Sequence, residues 1–300
     1  MAEGLGNIDD AALRPRRSVL YMPGANERAL EKAAGLPADA LILDLEDAVA
    51  PDAKAAARDR VCEAVTSGRY GAREVTIRIN GLGTEWHDDD LAAAAAAGPA
   101  AVVVPKVDSA GAVHAIEKGL DAAGAPDHTA IWAMVETPVA MFNAREVAEA
   151  SERLTVLVMG TNDLAKELQA EHVPGRAPLL TGLGLALLAA RATGKVILDG
   201  VYNDIQNAEG FEAECVQGRQ MGFDGKTLIH PSQLEPCNRV FAPTDEEVER
   251  AGRIIEAFEQ AEAEGRGVVT VDGRMIENLH VEQARRTLAL VAAIKTLNVS

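Results

Sequence analysis

Apolar residues in this chain gather into short, nearly unbroken runs at 18–23, 40–45, 75–79, 101–105, 131–135, 155–160, 196–201 and 226–229. A run of that kind fits a strand covered on both faces, as in a parallel sheet. The stretches between them are rich in Ala, Glu, Lys, Arg and Leu, which are good helix formers. Pro51 stands at the first position of one such helix, which is expected to run to about Gly68. Eight strand–helix units within about 240 residues match a closed parallel barrel, for which roughly 250 residues is typical. The rival is a doubly wound open sheet, which gathers its polar strand ends at one crevice. Here a polar group ends nearly every run, and that spread favours the barrel. The expected fold is α/β, a (β/α)8 TIM barrel over residues 1–240.

The alternation stops after that, and residues 241–300 form a separate hairpin–helix extension. A helix is expected over 244–264, with Thr244 as its cap, Glu246 and Glu247 in its first turn and Gly265 as its stop. The segment from Gly267 to Ile276 reads as a hairpin turning at Asp272–Gly273. A last helix follows from about His280, with Val281, Ala284, Leu288 and Val291 along one face. An eight-unit barrel has no place for this tail. It is expected to be a lid over the barrel mouth or an arm packed on a neighbouring subunit.

Composition narrows the partners. The chain has 300 residues, 48% of them hydrophobic, enough for a large core and an appendage. Its net charge is -17, from 46 acidic against 29 basic residues, which repels nucleic acid and anionic membranes. Anionic small ligands remain open, since they need only a local cationic pocket. Cys62, Cys215 and Cys237 are far apart in the chain and make no metal spacing, which fits a reducing compartment. Residues 1–15 carry Asp9 and Asp10 and no apolar core, so they do not read as a signal peptide. The run Ala92–Ala97 is too short to cross a membrane and stops at Gly98-Pro99. The expected location is the cytoplasm.

The chemistry sits where runs end. Thr76–Asn80 delivers Arg78, Ile131–Glu136 delivers Glu136, and Val156–Asp163 delivers Asp163. In parallel α/β folds the carboxyl ends of strands are where reactions occur. Mg²⁺ takes hard oxygen ligands and only one or two protein carboxylates, leaving positions for water and substrate. Glu136 and Asp163 supply that pair. The plainer alternative is that each caps the helix that follows it. Arg78 lies between two isoleucines and is costly to bury unless it meets an anion. That anion is a substrate carboxylate or enolate, or else Asp44, Glu46 or Asp47 within the protein. An Arg has five N–H donors and can serve both. The three acids of Leu43–Val49 crowd one strand end, which should raise at least one pKa unless cations or a metal intervene. They hold waters of a metal shell, orient Arg78 and Lys106, or form a simple anion cluster at a helix start.

Weaker signals surround these. Tyr21–Asn26 reads as strand, turn and helix start, whose free backbone N–H groups suit a phosphate or carboxylate. Arg16, Arg17, Arg28 and Lys32 make that neighbourhood basic. Lys106 ends Val-Val-Val-Pro-Lys, and His230 ends Leu-Ile-His ahead of Pro231, where a histidine is more often structural than catalytic. Asp199 and Tyr202 flank Gly200 and are expected on the same rim. A nucleotide fingerprint, a zinc spacing and a nucleophile elbow are all absent from the sequence. Metal-assisted chemistry without a covalent intermediate is what remains.

Seven motifs then occur in order: Ser18-Val-Leu-Tyr-Met-Pro-Gly, Leu43-Asp-Leu-Glu-Asp-Ala-Val, Arg78-Ile-Asn-Gly, Val104-Pro-Lys, Glu136-Thr-Pro, Gly160-Thr-Asn-Asp-Leu and Ile229-His-Pro. Over nearly its whole length the chain resembles the citrate lyase β-subunit-like CoA-ester lyases, which include malyl-CoA, methylmalyl-CoA and citramalyl-CoA lyases. The resemblance implies Mg²⁺, or Mn²⁺ in its place, at Glu136 and Asp163. It implies that Arg78 binds the 2-oxoacid or enolate, with Asp44 and Glu46 in the catalytic set. Tyr21, Lys32, Asn162, Asp163, Ile229 and His230 are implied contacts of the substrate and its CoA. It also implies trimers or hexamers in which the carboxyl-terminal segment reaches a neighbour's active site. A catalytic Asp belongs to a Met-Ile-Asp pattern there; this chain reads Met275-Ile276-Glu277, which keeps the carboxylate and adds a methylene. The implied partners are acyl-CoA thioesters and 2-oxoacids. A malyl-CoA thioesterase, a citrate lyase complex subunit, a metabolite-binding regulatory homologue and a CoA-independent aldolase are the rival readings.

Overall fold

The structure, a computed structural model, describes residues 13–264 and 269–299. Residues 16–241 make one compact unit, and the described residues on either side of them make a second. In the first unit, strands β1 (Ser18–Pro23), β2 (Ala40–Asp44), β3 (Glu74–Arg78), β4 (Ala101–Val104), β5 (Ala130–Val135), β6 (Leu154–Met159), β7 (Val196–Asp199) and β8 (Gly225–Leu228) close into a barrel in chain order. Every neighbouring pair is parallel, including the closing pair β1–β8. The eight apolar runs are the eight strands. Most strand ends differ from the expected runs by one residue; beyond that, β7 ends at Asp199 rather than 201, and Pro51 opens a 3₁₀ turn (Pro51–Ala53) that leads into helix α2 (Lys54–Thr66).

The helices between strands are α1 (Glu27–Ala33), α2, α3 (His87–Ala97), α4 (Ala110–Ala122), α5 (Pro138–Glu149), α6 (Thr161–Glu167), α7 (Leu180–Ala192), α8 (Ala208–Met221) and α9 (Leu234–Phe241). Two separate apolar layers result from the period-two alternation of strand side chains. Val19, Ala40, Ile42, Val103, Trp132, Met134, Val156 and Leu198 fill the barrel lumen. Their strand neighbours Leu20, Leu41, Leu43, Ile77, Val102, Ala133 and Leu157 pack outward against the helices. This parity decides which side each strand-end group faces.

At the amino ends of the strands, charges are matched in pairs. Arg16 grips Glu74 through Nε at 2.6 Å, and Arg17 grips Asp39 through Nη2 at 2.7 Å. The seam between β1 and β8 needs a residue without a side chain: a Cβ on Gly225 would collide with the Arg16 carbonyl. Across that seam Ser18 Oγ donates to Asn238 Oδ1 at 2.7 Å, and Cys237 Sγ donates to the Arg17 carbonyl at 3.2 Å.

The carboxyl-terminal unit has its own small core. Helix α10 (Asp245–Ala263) opens with a reciprocal capping box: Thr244 accepts from Glu247 N–H at 3.2 Å, and Glu247 accepts from Thr244 N–H at 2.7 Å. Strands β9 (Val269–Val271) and β10 (Arg274–Ile276) form an antiparallel hairpin, with Asp272 and Gly273 both at positive φ, as the sequence predicts. Helix α11 (Asn278–Val299) starts two residues before the expected His280. Ala251, Ile254, Val271, Ile276, Val281 and Ala284 are buried together with Leu288 against them; Val291 is not part of that cluster. The expected stop at Gly265, and Gly267 at the head of the hairpin segment, lie outside the described residues.

Candidate active site at the carboxyl-terminal mouth of the barrel

Parity carries Asp44, Arg78 and Glu136 into the lumen, because they continue the inward series 40–42–44, 76–78 and 132–134–136. They open onto a cavity of about 440 Å³ at the strands' carboxyl ends. Tyr21, Gly160, Asn162, Asp163, Thr227 and Ile229 complete its polar and apolar wall. Glu46, Lys32 and His230 do not line it.

One half of the mouth is a closed ion cluster. Arg78 donates from Nε to Asp44 Oδ1 at 2.6 Å and from Nη2 to Asp44 Oδ2 at 2.7 Å. Its Nη1 lies 2.7 Å from Glu46 Oε2 and 3.6 Å from Asp47 Oδ2. The guanidinium also stacks over the Tyr21 ring, 5.0 Å from its centroid. Asp44 in turn accepts from the N–H groups of Glu46 and Ala48 at 2.9 and 3.1 Å, which pins the loop after β2. The internal partner of Arg78 is therefore present. Two of its five donors remain beyond the three engaged by Asp44 and Glu46. Burial lifts the Glu46 carboxyl to about 7, with Arg78 pulling it down and Asp47 pushing it up. Burial is the main cause of the rise, and the crowded acids Asp47 and Asp44 add to it.

The other half is under-neutralised. The Glu136 side chain is buried, with the residue 2% exposed. Its Oε1 accepts the Lys106 N–H at 2.8 Å, and among the described residues no side-chain cation pairs with it. Burial raises its pKa to about 7, the Lys106 N–H works against that, and Asp163 adds to it. Gly160 makes room for this carboxylate, since a Cβ there would collide with Glu136 Oε2. Asp163 is not at a strand end but in the first turn of α6, where its Oδ1 lies 3.6 Å from Lys106 Nζ. Neither carboxylate caps its helix. Thr137 caps α5, accepting from Ala140 N–H at 3.0 Å, and Gly160 precedes α6 without a side-chain cap.

A divalent ion fits this donor set. Both donors are carboxylate oxygens, and one is buried with no side-chain cation at ion-pair distance among the described residues, Arg78 acting on it only from further away, an arrangement that is costly on its own. Among the described residues no group of three or more His, Cys, Asp or Glu is placed to hold a metal ion. Two carboxylates suit Mg²⁺, whereas Zn²⁺ needs more nitrogen or sulfur ligands.

The remaining predicted residues fall into three groups. Tyr21 and Asn162 reach the cavity: the Tyr21 hydroxyl lies 3.9 Å from Met134 Sδ, and Asn162 trades hydrogen bonds with Asn203 at 2.7 and 3.1 Å. Burial pushes the Tyr21 phenol well up, which keeps it protonated. Ile229 lines the wall, but its N–H and that of His230 both donate to Gln233 Oε1, at 3.0 and 3.3 Å. His230 accepts from Ser232 N–H at 3.2 Å and caps the 3₁₀ turn Pro231–Gln233, a structural task. Lys32 is exposed in the last turn of α1.

Two expectations are corrected. Arg16 and Arg17 do not add charge to the mouth; they stand at the amino end of β1, roughly 17 Å away at 3.3 Å per residue, paired with Glu74 and Asp39. Asp199 is not on the rim. It follows the inward Leu198, so it faces the helix layer, bonded to Lys226 at 3.0 Å and Arg176 at 2.7 Å. Tyr202 lines a second cavity of about 390 Å³ with His172, Arg176, Glu214 and Gln217. Sequence reasoning missed Gln233, which no usual capping pattern signals with histidine as the cap, and Gly160, whose role needs the position of Glu136.

Comparison with known proteins follows the geometry. A family model described as HpcH/HpaI aldolase/citrate lyase matches residues 17–231, and one described as a C–C bond lyase of the TIM-barrel fold matches residues 183–293. The chain is 54% identical over 286 residues to a (3S)-malyl-CoA thioesterase of Cereibacter sphaeroides, covering 95% of this chain and 98% of the relative. It is 40% identical over 288 residues to the citrate lyase subunit beta of Escherichia coli, covering 94% and 95%. A crystal structure of the protein CitE from Mycobacterium tuberculosis in complex with magnesium, acetoacetate and coenzyme A superposes with a TM-score of 0.74 at 29% identity, covering 92% of this chain and 97% of that one.

Proposed function

The chain belongs to the HpcH/HpaI aldolase/citrate lyase family, and from that premise we propose that it is a Mg²⁺-dependent carbon–carbon lyase of CoA esters. Its substrate is a 3-hydroxy-3-carboxyacyl-CoA of the malyl-, methylmalyl- or citramalyl-CoA type. Cleavage by a reversible Claisen-type reaction yields acetyl- or propionyl-CoA and glyoxylate or pyruvate. The observation that carries this reading is a buried carboxylate, Glu136, with no side-chain cation at ion-pair distance among the described residues, beside Asp163 and facing the same cavity as Arg78.

Glu136 and Asp163 would hold Mg²⁺, or Mn²⁺ in its place. When bound, the ion supplies Lewis acidity to the hydroxyl and carboxylate oxygens of the substrate. Asp44 and Glu46 hold the Arg78 fork, whose remaining donors meet the 2-oxoacid and offset charge developing on its oxygen. The substrate hydroxyl loses its proton as the C–C bond breaks. Glu46, with a pKa of about 7, is suited to accept that proton through a water. The bond's electron pair passes to the CoA thioester as an enolate, and Glu277 of a neighbouring subunit, or a water, returns a proton to its carbon. Tyr21, Asn162 and Ile229 contact the acyl portion, and Lys32 and His230 the CoA beyond it. We assign a homo-oligomer, trimer or hexamer, testable by light scattering, and a cytoplasmic location. Among the described residues no helix is long and apolar enough to cross a membrane.

The 54% identity to a (3S)-malyl-CoA thioesterase favours a second reading, in which water attacks the thioester carbonyl of the same bound substrate. The 40% identity to a citrate lyase beta subunit favours a third, with the acyl group borne by a carrier protein. Incubation of malyl-, methylmalyl-, citramalyl- and citryl-CoA with protein and Mg²⁺ separates them. Glyoxylate or pyruvate with the shorter acyl-CoA supports the lyase. Free malate with CoA replaces it by hydrolysis. Turnover of a carrier-bound citryl group alone selects the complex subunit.

A further inference from the structure

Among the described residues, Lys106 is the group that contacts both carboxylates of the proposed ion site. It follows β4 and Pro105, and its backbone is left-handed, with φ 54°. L-residues adopt that conformation at a cost in strain, and glycine adopts it freely. The reversal has two results. The Lys106 N–H turns toward Glu136 Oε1 at 2.8 Å, while the next N–H, of Val107, returns to the barrel ladder at the Met134 carbonyl, 3.1 Å away. The side chain then leaves in the direction of α6, and its ammonium stops 3.6 Å from Asp163 Oδ1. One strained residue thereby ties a carboxylate from the end of β5 to one from the first turn of α6. Glycine would supply the N–H without strain, so the feature that lysine adds at this position is the ammonium.

That ammonium stands where a cation is needed. Its side chain is 54% exposed and Asp163's is 29% exposed, so the pair is loose and open to solvent. Such a contact is worth little and is readily exchanged. We propose that Lys106 is a positioning residue whose ammonium stands in for the divalent ion, neutralising Asp163 in the metal-free protein and yielding that place when the ion binds. This rests on the reading of Glu136 and Asp163 as ion ligands. The backbone N–H keeps hold of Glu136 in both states, so the site is held open and does not collapse on itself when empty. The ammonium lowers ion affinity in exchange for a site whose two carboxylates are already apart and oriented.

Direct titration of metal-free protein with Mn²⁺, following the free-ion electron paramagnetic resonance signal, tests this without any substrate. Lys106→Gly keeps the N–H, relieves the strain and removes the ammonium; Lys106→Gln removes the charge while keeping a stem. Both are expected to bind Mn²⁺ about five- to tenfold more tightly than wild type. Their Tm should also rise more on saturation with Mn²⁺. Lys106→Arg restores the charge and is expected to match wild type. Unchanged or weaker Mn²⁺ binding in both uncharged variants overturns the proposal. If wild type takes up no Mn²⁺, or Glu136→Ala takes it up as wild type does, the ion site itself fails and the proposal with it. The wild-type and Glu136→Ala titrations keep these two failures apart.

Discussion

Asp199 at the end of β7 and Glu136 just past the end of β5 are both buried carboxylates, 0% and 2% exposed, yet they ionise in opposite directions. Burial works to raise each. At Asp199, Lys226 and Arg176 outweigh it and hold the carboxyl below its ordinary range. At Glu136 burial wins and the carboxyl rises to about 7. The difference lies in parity. Asp199 faces the helix layer, where Lys226 also meets Glu214 at 2.7 Å and the charges are matched. Glu136 faces the lumen, where one backbone N–H and the more distant Arg78 only partly offset its burial. A charge-matched network stands behind the barrel wall at Asp199, and an under-neutralised one at the same level is the proposed ion site.

Removing Glu136 breaks the comparison at its reactive end. Glu136→Ala should lose Mg²⁺-dependent turnover by at least about a thousandfold, the scale seen when a key charge-stabilising group is removed. Circular dichroism and Tm should stay native, because a buried uncompensated charge is removed. Full activity in this variant would sink the ion assignment. At the saturated end the sign reverses: Lys226→Met leaves Asp199 with less of its counter-charge and should cost about 3–5 kcal/mol in urea unfolding. An unchanged midpoint would show that Arg176 alone suffices.

Gly160→Ala should weaken Mn²⁺ binding about 10- to 100-fold, the range for disturbing the support of a metal ligand, because the new Cβ collides with the Glu136 carboxylate. The pH dependence sharpens the contrast further. Glu136 must lose its proton to bind an ion, so Mg²⁺ affinity should rise about tenfold per pH unit up to about 7 and then level off, as calorimetry would record. The linkage sign for the metal-free fold is the opposite. Glu46 and Glu136 have folded pKa values of about 7 against an ordinary carboxyl value of 4.5, so they favour folding below 4.5 and lose that contribution as pH rises toward 7. The smallest effect is remote from both networks: Thr244→Ala should cost about 1 kcal/mol through loss of the α10 cap.

All eight strands and the tail's hairpin were legible because burial on both faces and an Asp-Gly turn leave direct marks on residue order. Arg78 and Glu136 were legible as strand-end charges, whereas Asp163, read the same way, stands in the first turn of α6. Which way a strand end faces was harder. Counting alternate residues back from Asp199 to Leu198, Ile197 and Val196 gives no hydropathy contrast, since both faces of β7 are apolar. Asp199 was therefore expected on the rim and stands behind it. Arg16 and Arg17 were expected near the turn after β1 because they are near in sequence; a six-residue strand puts its two ends at opposite ends of the barrel. The backbone twist at Lys106 had no signature, since lysine is an unusual residue for a left-handed position.

The seam described above, where Gly225 lets β8 approach Arg16, also has a meaning in time. Ser18 and Asn238, and Arg17 and Cys237, are each 220 positions apart, so these contacts form only once the intervening strands have been gathered. Closing so long a loop is entropically slow and brings no reward until the ring is complete. The β1–β8 junction should thus be the last stretch to gain amide protection in pulse-labelled refolding. Until then the chain is an open curl with two bare strand edges, each able to pair with another molecule. Gly225→Ala, by obstructing the closure, should lengthen that interval and raise the yield of aggregate during refolding.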